Sequence, residues 1–261
     1  MLAYSVQGNE MEEKYRLMIA AEFLGCIKNT IERLDNEETN RPFHAALLSS
    51  EALFWSRFER SFSTSFGQRV IEKVAKEAAL AGGATEASNG KATTCSLTLE
   101  QLAAVDAHIA ALRGGSSSKG WETDLAEVKA AGGATGAKQA TRVISDIWWI
   151  KDGVNYYMSS KTVKPNIDQT AEAKRDLLKL KLHDPGCKVF YGLPYNPYGE
   201  KRENYNWKPP MGIFDFRRDS VVLIGKDYWD TLGGLGSYDE MLKIAKEVGK
   251  ETRALLENLV H

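Results

Sequence analysis

Apolar residues change their spacing along the chain, and this change separates a helical first third from a later part rich in predicted strands. Between Met11 and Arg33 they recur every three or four positions, which predicts an amphipathic helix. A second helical region covers residues 49–82 and is interrupted near Ser63–Gly67, so two helices or one broken helix fit it equally. A last amphipathic helix is predicted from about Tyr238 to Val260.

The strand-rich part begins near residue 142 and consists of short runs separated by turn residues. The predicted strands are "RVISDIWWI", "NYYMSSK", "CKVFYGLPY", "MGIFDF" and "SVVLIGK", with one helix over 166–182 between the second and third. This order indicates a single α/β domain with a mixed sheet flanked by helices. Residues 82–140 are rich in alanine, glycine and serine around one predicted helix, and we expect them to form a peripheral insertion.

The pair Asp152-Gly153 lies between two aromatic-rich runs and predicts a two-residue type I′ hairpin. Counting outward from this turn places Asp146 opposite Ser159. Lys161 lies two residues beyond Ser159 and therefore on the same face of the sheet. Since opposed and diagonal side chains in a sheet lie within about 8 Å, these three side chains should converge.

An aspartate and a lysine at adjacent strand ends suit metal-assisted hydrolysis of a phosphodiester. The carboxylate of Asp146 would hold Mg²⁺, and the ammonium group of Lys161 would position or activate the attacking water. The same two residues are also suited to an ordinary surface salt bridge, which contributes under about 1 kcal/mol to stability. Spacing alone leaves both alternatives open.

The order of Asp146, the triplet Ser159-Ser160-Lys161 and a following helix resembles the PD-(D/E)XK nuclease superfamily. More narrowly, "SSKTVKPNIDQTAEAKRDLLKLK", "VFYGLPYNPYG" and "SVVLIGKDYWDTLGG" look like type II restriction endonucleases of the TdeIII family. The resemblance covers 143–241 well and 54–76 loosely. It implies a restriction-endonuclease-like fold and Mg²⁺-dependent double-strand cleavage of a short GC-rich palindrome, GGNCC-like, by a homodimer.

Ser159 departs from the superfamily pattern, which usually has an acid at that position. A hydroxyl group is a weaker ligand for Mg²⁺ than a carboxylate, and some related restriction enzymes with such a triplet take the second acid from elsewhere in the chain. The resemblance makes Gln169 on the following helix a catalytic candidate, favoured over Glu172, and implies that Ser160 contributes its backbone carbonyl to the metal. The candidates for the second acid are Glu72, Glu59, Asp168 and Glu172.

Glu72 lies on the helix before the predicted sheet, where such nucleases often add a glutamate to the metal site. It is equally well placed to pair with Lys76, four residues further along the same helix. Both roles stay open at this point.

A nuclease must also contact DNA phosphates and base edges through arginine, lysine, asparagine or glutamine side chains. Two segments supply such residues, "KTVKPN" after the hairpin and the long polar-aromatic connection over 195–210. Asn166 is equally suited to cap the following helix. The candidate DNA contacts are Lys164, Asn166, Asn196, Lys201, Arg202 and Asn206.

Composition and motifs limit how the protein can contact DNA, where it is located and which cofactors it uses. Lysine and arginine number 34 against 35 aspartate and glutamate residues, a net charge of −1, so DNA contact requires a local basic patch. The three scattered cysteines favour reduced thiols in a cytoplasm, and no apolar run is long enough for a membrane span. Without a GxxxxGK[ST] loop, no nucleotide cofactor is expected.

Two rival functions remain open from the sequence. A DNA-binding module without efficient catalysis is suggested by Ser159, and it predicts salt-sensitive DNA affinity without hydrolysis. A structure-specific repair nuclease with the same core would cut only at ends, flaps or mismatches.

Overall fold

A mixed β-sheet forms the centre of the fold. The computed structural model describes residues 11–35 and 40–257. Within these ranges the sheet has the strand order β1-β2-β3-β4-β5. Strand β2 is antiparallel to both β1 and β3, whereas β4 is parallel to both β3 and β5. The strands are β1 (Glu86–Thr98), β2 (Lys138–Lys151), β3 (Val154–Ser160), β4 (Lys188–Leu193) and β5 (Val222–Ile224).

Helices cover both faces of this sheet, which confirms the predicted α/β class with a mixed sheet flanked by helices. They are α1 (Glu13–Asp35), α2 (Pro42–Leu47), α3 (Ser50–Ser65), α4 (Ile71–Ala81), α5 (Leu99–Arg113), α6 (Trp121–Ala131), α7 (Ile167–His183), α8 (Lys226–Gly233) and α9 (Ser237–Glu257). A π-helical turn, Phe66–Val70, joins α3 to α4 directly, so the interruption predicted near Ser63–Gly67 is a change of helical pitch within one rod. The final residues of the predicted last helix lie outside the described ranges.

The hairpin between β2 and β3 has the predicted turn and register. Asp152 and Gly153 both adopt positive φ, +52° and +72°, as a type I′ turn requires. The pairs from Lys151 opposite Val154 to Ile147 opposite Met158 follow from this turn. The prediction of the register is therefore confirmed.

Alternate residues of the hairpin enter two different cores. Ile147, Trp149 and Met158 are buried in a cluster formed with α1, α4, α8 and α9. Trp148 and Tyr157 face the opposite cluster, formed with α5, α6, α7 and the loop before β5. Since successive side chains of a strand point to opposite faces, both faces of the hairpin are held by packing.

The expectation of a peripheral insertion over 82–140 is wrong for residues 86–131. Strand β1 pairs with β2 from Glu86 opposite Ile150 to Thr98 opposite Lys138, and α5 and α6 supply buried apolar residues to the core. Thr98 caps α5 in a capping box with Gln101. The small residues of this segment misled the prediction because β2 supplies the backbone partners that hold β1 in the sheet.

The predicted strand "MGIFDF" is also wrong, because residues 211–216 form turns before β5. Ile213, Phe214 and Phe216 are at most 1% exposed there, so their apolar pattern reflects burial of a loop. The carboxylate of Asp219 accepts hydrogen bonds from the backbone N–H groups of Asp215 and Trp121 and holds this loop against α6. Within the described parts of the chain, no helix has the length and apolar character needed to cross a membrane.

We predict that Gly192→Ala in β4 destabilises the protein by about 1–3 kcal/mol. An added Cβ would lie 2.6 Å from the ring of Tyr228 and 2.7 Å from the sulfur of Met158, and both side chains are fully buried. Urea denaturation measures the effect. The matched control is Gly249→Ala in α9, where a Cβ meets nothing within 4 Å and should stabilise the helix by about 0.5–1 kcal/mol. Equal stability of the Gly192→Ala variant and the wild type would contradict the prediction.

Candidate active site

An ion pair between Lys161 and Asp146 forms the centre of the candidate site. The Nζ atom of Lys161 donates a hydrogen bond to Oδ2 of Asp146 at 2.7 Å, and the hydroxyl of Ser159 donates to the same oxygen at 3.2 Å. The side chains of Lys161 and Asp146 are 23% and 26% exposed. The three side chains thus converge as the hairpin register predicted, in a place that solvent and substrate can still reach.

Backbone and side-chain contacts fix the end of β3 that carries the triplet. The backbone N–H of Lys161 donates to the carbonyl of Gly192 at 2.9 Å and extends the parallel pairing with β4 by one residue. The hydroxyl of Ser160 lies 3.1 Å from the hydroxyl of Tyr228, which is fully buried on α8. Ser160 is therefore anchored by its side chain while Ser159 and Lys161 contact Asp146.

Glu72 on α4 is the acid that the fold brings to this ion pair. Partial burial and then the negative charge of Asp146 raise the pKa of Glu72 from 4.5 to about 7, while the charge of Lys161 lowers it. Lys76, the alternative partner of Glu72, pairs instead with Glu77 at 2.8 Å. The charge interactions of Glu72 with Asp146 and Lys161, together with the pairing of Lys76 with Glu77, favour a place in the site for Glu72 over an ordinary helical ion pair.

Asn89 in β1 is a residue of the site that the sequence analysis missed. Its Nδ2 donates to the backbone carbonyl of Glu72 at 2.8 Å and to that of Asp146 at 3.4 Å, so one amide group ties α4 to β2. Gly90, the next residue, adopts φ +62° opposite Asp146 in the register, and it leaves open space there. The Asn-Gly pair is the signal for it in the sequence, but the surrounding alanine, glycine and serine residues are typical of a peripheral insertion.

The structure does not bring Glu172 or Asp168 to the ion pair. Glu172 pairs with Arg175 on its own helix, and Asp168 pairs with Arg113 at the end of α5. Both carboxylates therefore lie on the side of α7 that faces α5, where they serve as partners of arginine.

Glu59 and Gln169 also lie apart from the ion pair in the contacts observed. Glu59 is exposed on α3 and accepts a hydrogen bond from the hydroxyl of Ser63 at 2.7 Å. Gln169 is exposed in the first turn of α7, and its backbone N–H donates to the side chain of Asn166 at 2.7 Å. A catalytic role for Gln169 stays a prediction without a supporting contact.

Two polar residues after the hairpin are exposed, and one of them also caps a helix. Asn166 caps α7, as one of its two predicted roles required. Lys164 is exposed, and its Nζ lies 5.8 Å and 5.7 Å from the ring centres of Tyr198 and Trp207. Asn206 is exposed on the same connection. Lys164 and Asn206 are therefore accessible for contact with DNA.

Two of the predicted DNA contacts instead hold the 195–210 connection in place. Asn196 donates from Nδ2 to the carbonyl of Lys201 at 2.7 Å. Arg202 donates to the carbonyls of Phe216 and Asp219, and its side chain is 18% exposed. We therefore correct the expectation for Arg202, whose guanidinium group is committed to the protein's own backbone, whereas the side chain of Lys201 remains exposed.

The donor set fits a hard divalent cation with a small number of protein ligands. Among the described residues, no group of three or more histidine, cysteine, aspartate and glutamate side chains could hold a metal ion. Asp146 and Glu72 nevertheless supply two carboxylates, and both hydrogen bonds to the carboxylate of Asp146 fall on Oδ2, so within the described ranges Oδ1 has no protein donor. Mg²⁺ is commonly bound by one or two carboxylates with retained water.

We predict that the raised pKa of Glu72 makes the metal-free protein less stable as the pH rises. The native state holds a proton that the unfolded chain releases near pH 4.5, so stability should fall between about pH 4.5 and 7 and then level off. After allowance for partial exposure, the loss should be on the order of 2 kcal/mol. Glu72→Gln should remove it, as urea denaturation in EDTA across this pH range would show.

The exposed Glu59 on α3 provides the matched control for this pH dependence. Glu59→Gln should retain the fall, and Asp146→Asn should move the fall to lower pH because one negative charge near Glu72 is lost. Identical pH profiles for the wild type and Glu72→Gln would contradict the prediction.

Comparisons with known proteins identify the family of the chain. The chain matches the family described as "Type II restriction endonuclease, HinfI" over residues 11–249. It is 29% identical to the type II restriction enzyme HgiCII of Herpetosiphon aurantiacus over 80% of this chain and 77% of that protein. It is 28% identical to HgiEI of the same organism, over 85% and 82% of the two chains. No solved structure matches the chain significantly.

These comparisons confirm the expectation of a type II restriction endonuclease, and they do not confirm the narrower TdeIII family. The family match runs through β1 and α5 as well as the hairpin, which agrees with the place of residues 86–131 in the sheet and core. The chain belongs to the HinfI family of type II restriction endonucleases, which are site-specific deoxyribonucleases.

Proposed function

We propose that this endonuclease cleaves both strands of DNA at a short GC-rich palindrome, GGNCC-like, in a reaction that depends on Mg²⁺. The observation that carries the proposal is the 2.7 Å contact between Lys161 and Asp146 at the open end of the β2-β3 hairpin. An ammonium group and a carboxylate held together on one sheet face match the pair expected of a PD-(D/E)XK nuclease site. The three buried free thiols support a place in the reducing cytoplasm.

Asp146 and Glu72 would hold Mg²⁺, with the backbone carbonyl of Ser160 as a further oxygen ligand. The bound cation supplies a lowered pKa for water and stabilises the negative charge that develops on the phosphate. Asp146 is already held by Lys161 and Ser159, so its carboxylate is oriented before any substrate binds. Glu72 supplies the second carboxylate that the serine at position 159 cannot.

Lys161 positions the attacking water beside the scissile phosphate through its ammonium donors. Its backbone is fixed by the hydrogen bond to Gly192, and its Nζ atom is held near Asp146 by the ion pair. Ser159 keeps Oδ2 of Asp146 occupied and thereby directs Oδ1 toward ligands outside the protein. Preorganised groups of this kind lower the barrier because they need little rearrangement during the reaction.

A homodimer is part of the same proposal. A two-fold symmetric pair of chains matches the symmetry of a palindromic site and provides one cleavage centre for each strand. Exposed Lys164, Asn166, Lys201 and Asn206 remain the proposed DNA contacts of each chain.

We predict that Asp146→Asn and Lys161→Ala each reduce plasmid cleavage in Mg²⁺ by about 10³-fold or more, equal to about 4 kcal/mol in activation free energy. Discrete fragments from the wild type, lost on addition of EDTA, are the expected result. Glu172→Gln is the matched control, because its carboxylate pairs with Arg175, and it should cleave like the wild type. Full activity of Asp146→Asn, or cleavage confined to ends and flaps, would contradict the proposal.

We further predict that Asn89→Ala raises the Mg²⁺ concentration required for half-maximal cleavage by about 10-fold or more, since groups that orient metal ligands affect affinity on this scale. The variant loses the donor that joins the backbone of Glu72 to that of Asp146. Ser88→Ala on the same strand is the control and should leave the Mg²⁺ dependence unchanged. A lower maximal rate at an unchanged Mg²⁺ requirement would argue against a role for Asn89 in positioning the ligands.

A further inference from the structure

A basic pocket lies between α1, the start of α2, and α3, on a part of the molecule to which the proposed mechanism assigns no role. Its volume is about 250 Å³. Four arginines and three hydroxyl residues line it: Arg33, Arg41, Arg57, Arg60, Ser61, Thr64 and Ser65. We call this set the arginine pocket.

Hydrogen bonds hold the side chain of Arg33 in place in the lining of the arginine pocket. Its guanidinium group donates to the hydroxyl of Ser65 at 2.8 Å, to that of Ser61 at 3.2 Å, and to that of Thr30 at 3.0 Å. These partners are neutral, so the contacts orient Arg33 and leave its charge in place. The helices α1 and α3 are thereby joined through a cation.

The chemistry of the arginine pocket selects an anion with several oxygens. None of its described lining residues is acidic, although the whole chain carries slightly more acidic than basic residues. Guanidinium groups present planar pairs of donors that match phosphate oxygens, and hydroxyl groups add further donors. A volume of about 250 Å³ is ample for a phosphodiester group.

The helical rod that carries the arginine pocket continues to the candidate active site. Directly after Ser65 the chain enters the π-helical turn, where a Cβ at Gly67 would lie 3.8 Å from the methyl group of Thr162. Thr162 follows Lys161 in sequence. The π-helical turn that follows the pocket therefore packs beside the residue next to Lys161.

The number of helical residues between the arginine pocket and Glu72 gives the distance between them. Glu72 lies seven residues after Ser65 and eleven after Ser61, which is about 10–16 Å at 1.5 Å per helical residue. One DNA strand rises about 3.4 Å per nucleotide. Because the strand also winds around the duplex axis, successive phosphates are farther apart than this rise, so a phosphate at the arginine pocket would lie within about five nucleotides of the phosphate beside Glu72.

We propose that the arginine pocket binds a backbone phosphate of the DNA substrate, within about five nucleotides of the scissile phosphate. The inference rests on the proposed function for its substrate, and it adds a phosphate contact outside the hairpin and the 195–210 connection. Such a contact positions the strand without reading its sequence, because phosphates are the same at every base pair.

The test uses Arg60→Gln, since Arg60 is an exposed residue of α3 and its replacement leaves the core intact. Binding to a duplex of random sequence is measured by fluorescence anisotropy over a range of salt concentrations, in an Asp146→Asn background that prevents cleavage. Loss of one phosphate contact should reduce the slope of log Kd against log salt by about 1 and weaken binding about 5- to 10-fold. Arg253→Gln on α9, an exposed arginine outside the pocket, is the matched control.

A second measurement locates the phosphate. Single neutral methylphosphonate linkages are placed along a duplex that contains a mapped cut site. One linkage within about five nucleotides of the cut should weaken binding of the parent protein and have no further effect on Arg60→Gln. An equal effect on both proteins would overturn the assignment of the position.

The outcomes separate this inference from the proposed function. An unchanged salt slope in Arg60→Gln, or an equal fall in Arg253→Gln, overturns the pocket while plasmid cleavage still supports the function. A reduced slope without any plasmid cleavage supports the pocket and contradicts the function. If inorganic phosphate raises the melting temperature of the wild type but not of Arg60→Gln, and the DNA slope is the same in both, the pocket binds a free anion and the DNA assignment is overturned.

Discussion

The register of the β2-β3 hairpin is the constraint on which the site depends. A slip of one residue would move Asp146 to the opposite face of the sheet and separate it from Ser159 and Lys161. A partly exposed ion pair contributes too little free energy to prevent this by itself. The register is held by the Asp152-Gly153 turn and by packing of alternate residues into two cores, as in the stack of Trp149 on Tyr156 with ring centres 5.0 Å apart. The fold thus maintains the ion pair, and the ion pair contributes little to the fold.

Serine in place of the usual acid changes the charge balance of the site. Asp146 and Glu72 face one lysine, so the metal-free site carries at most one net negative charge in these three groups. With a pKa of about 7, Glu72 is close to half protonated at neutral pH, which lowers that charge further. Binding of a divalent cation would displace this proton, so metal affinity and pH become linked through Glu72. A site of low negative charge also repels the phosphate of the substrate less than a site with three carboxylates.

The sequence predicted the features that depend on local rules and missed those that depend on long-range pairing. The Asp-Gly turn determined the register, and the register brought Asp146, Ser159 and Lys161 together. Asn89 was missed because alanine, glycine and serine around it resemble a loop until β2 supplies the partner strand. Arg202 is predicted to contact DNA because the sequence shows only that its side chain can donate hydrogen bonds. It does not show that backbone carbonyls of the loop before β5 already accept these hydrogen bonds. Glu72 remained undecided until the fold placed α4 beside β2.

Because of the π-helical turn, α3 and α4 form one continuous rod but direct their contact faces toward different neighbours. A π turn adds a residue to the helical cycle and rotates everything after it by about 100° relative to an uninterrupted α-helix. Before the turn, the stack of Phe62 on Phe66 and of Phe66 on Phe23 holds α3 against α1, and the arginines line the pocket beside it. After the turn, α4 buries Val74 and Ala78 against the sheet and presents Glu72 to Asp146. An uninterrupted α-helix would turn one of these two faces away from its neighbours, so the change of pitch allows the arginine pocket and the carboxylate of Glu72 to share one rigid element.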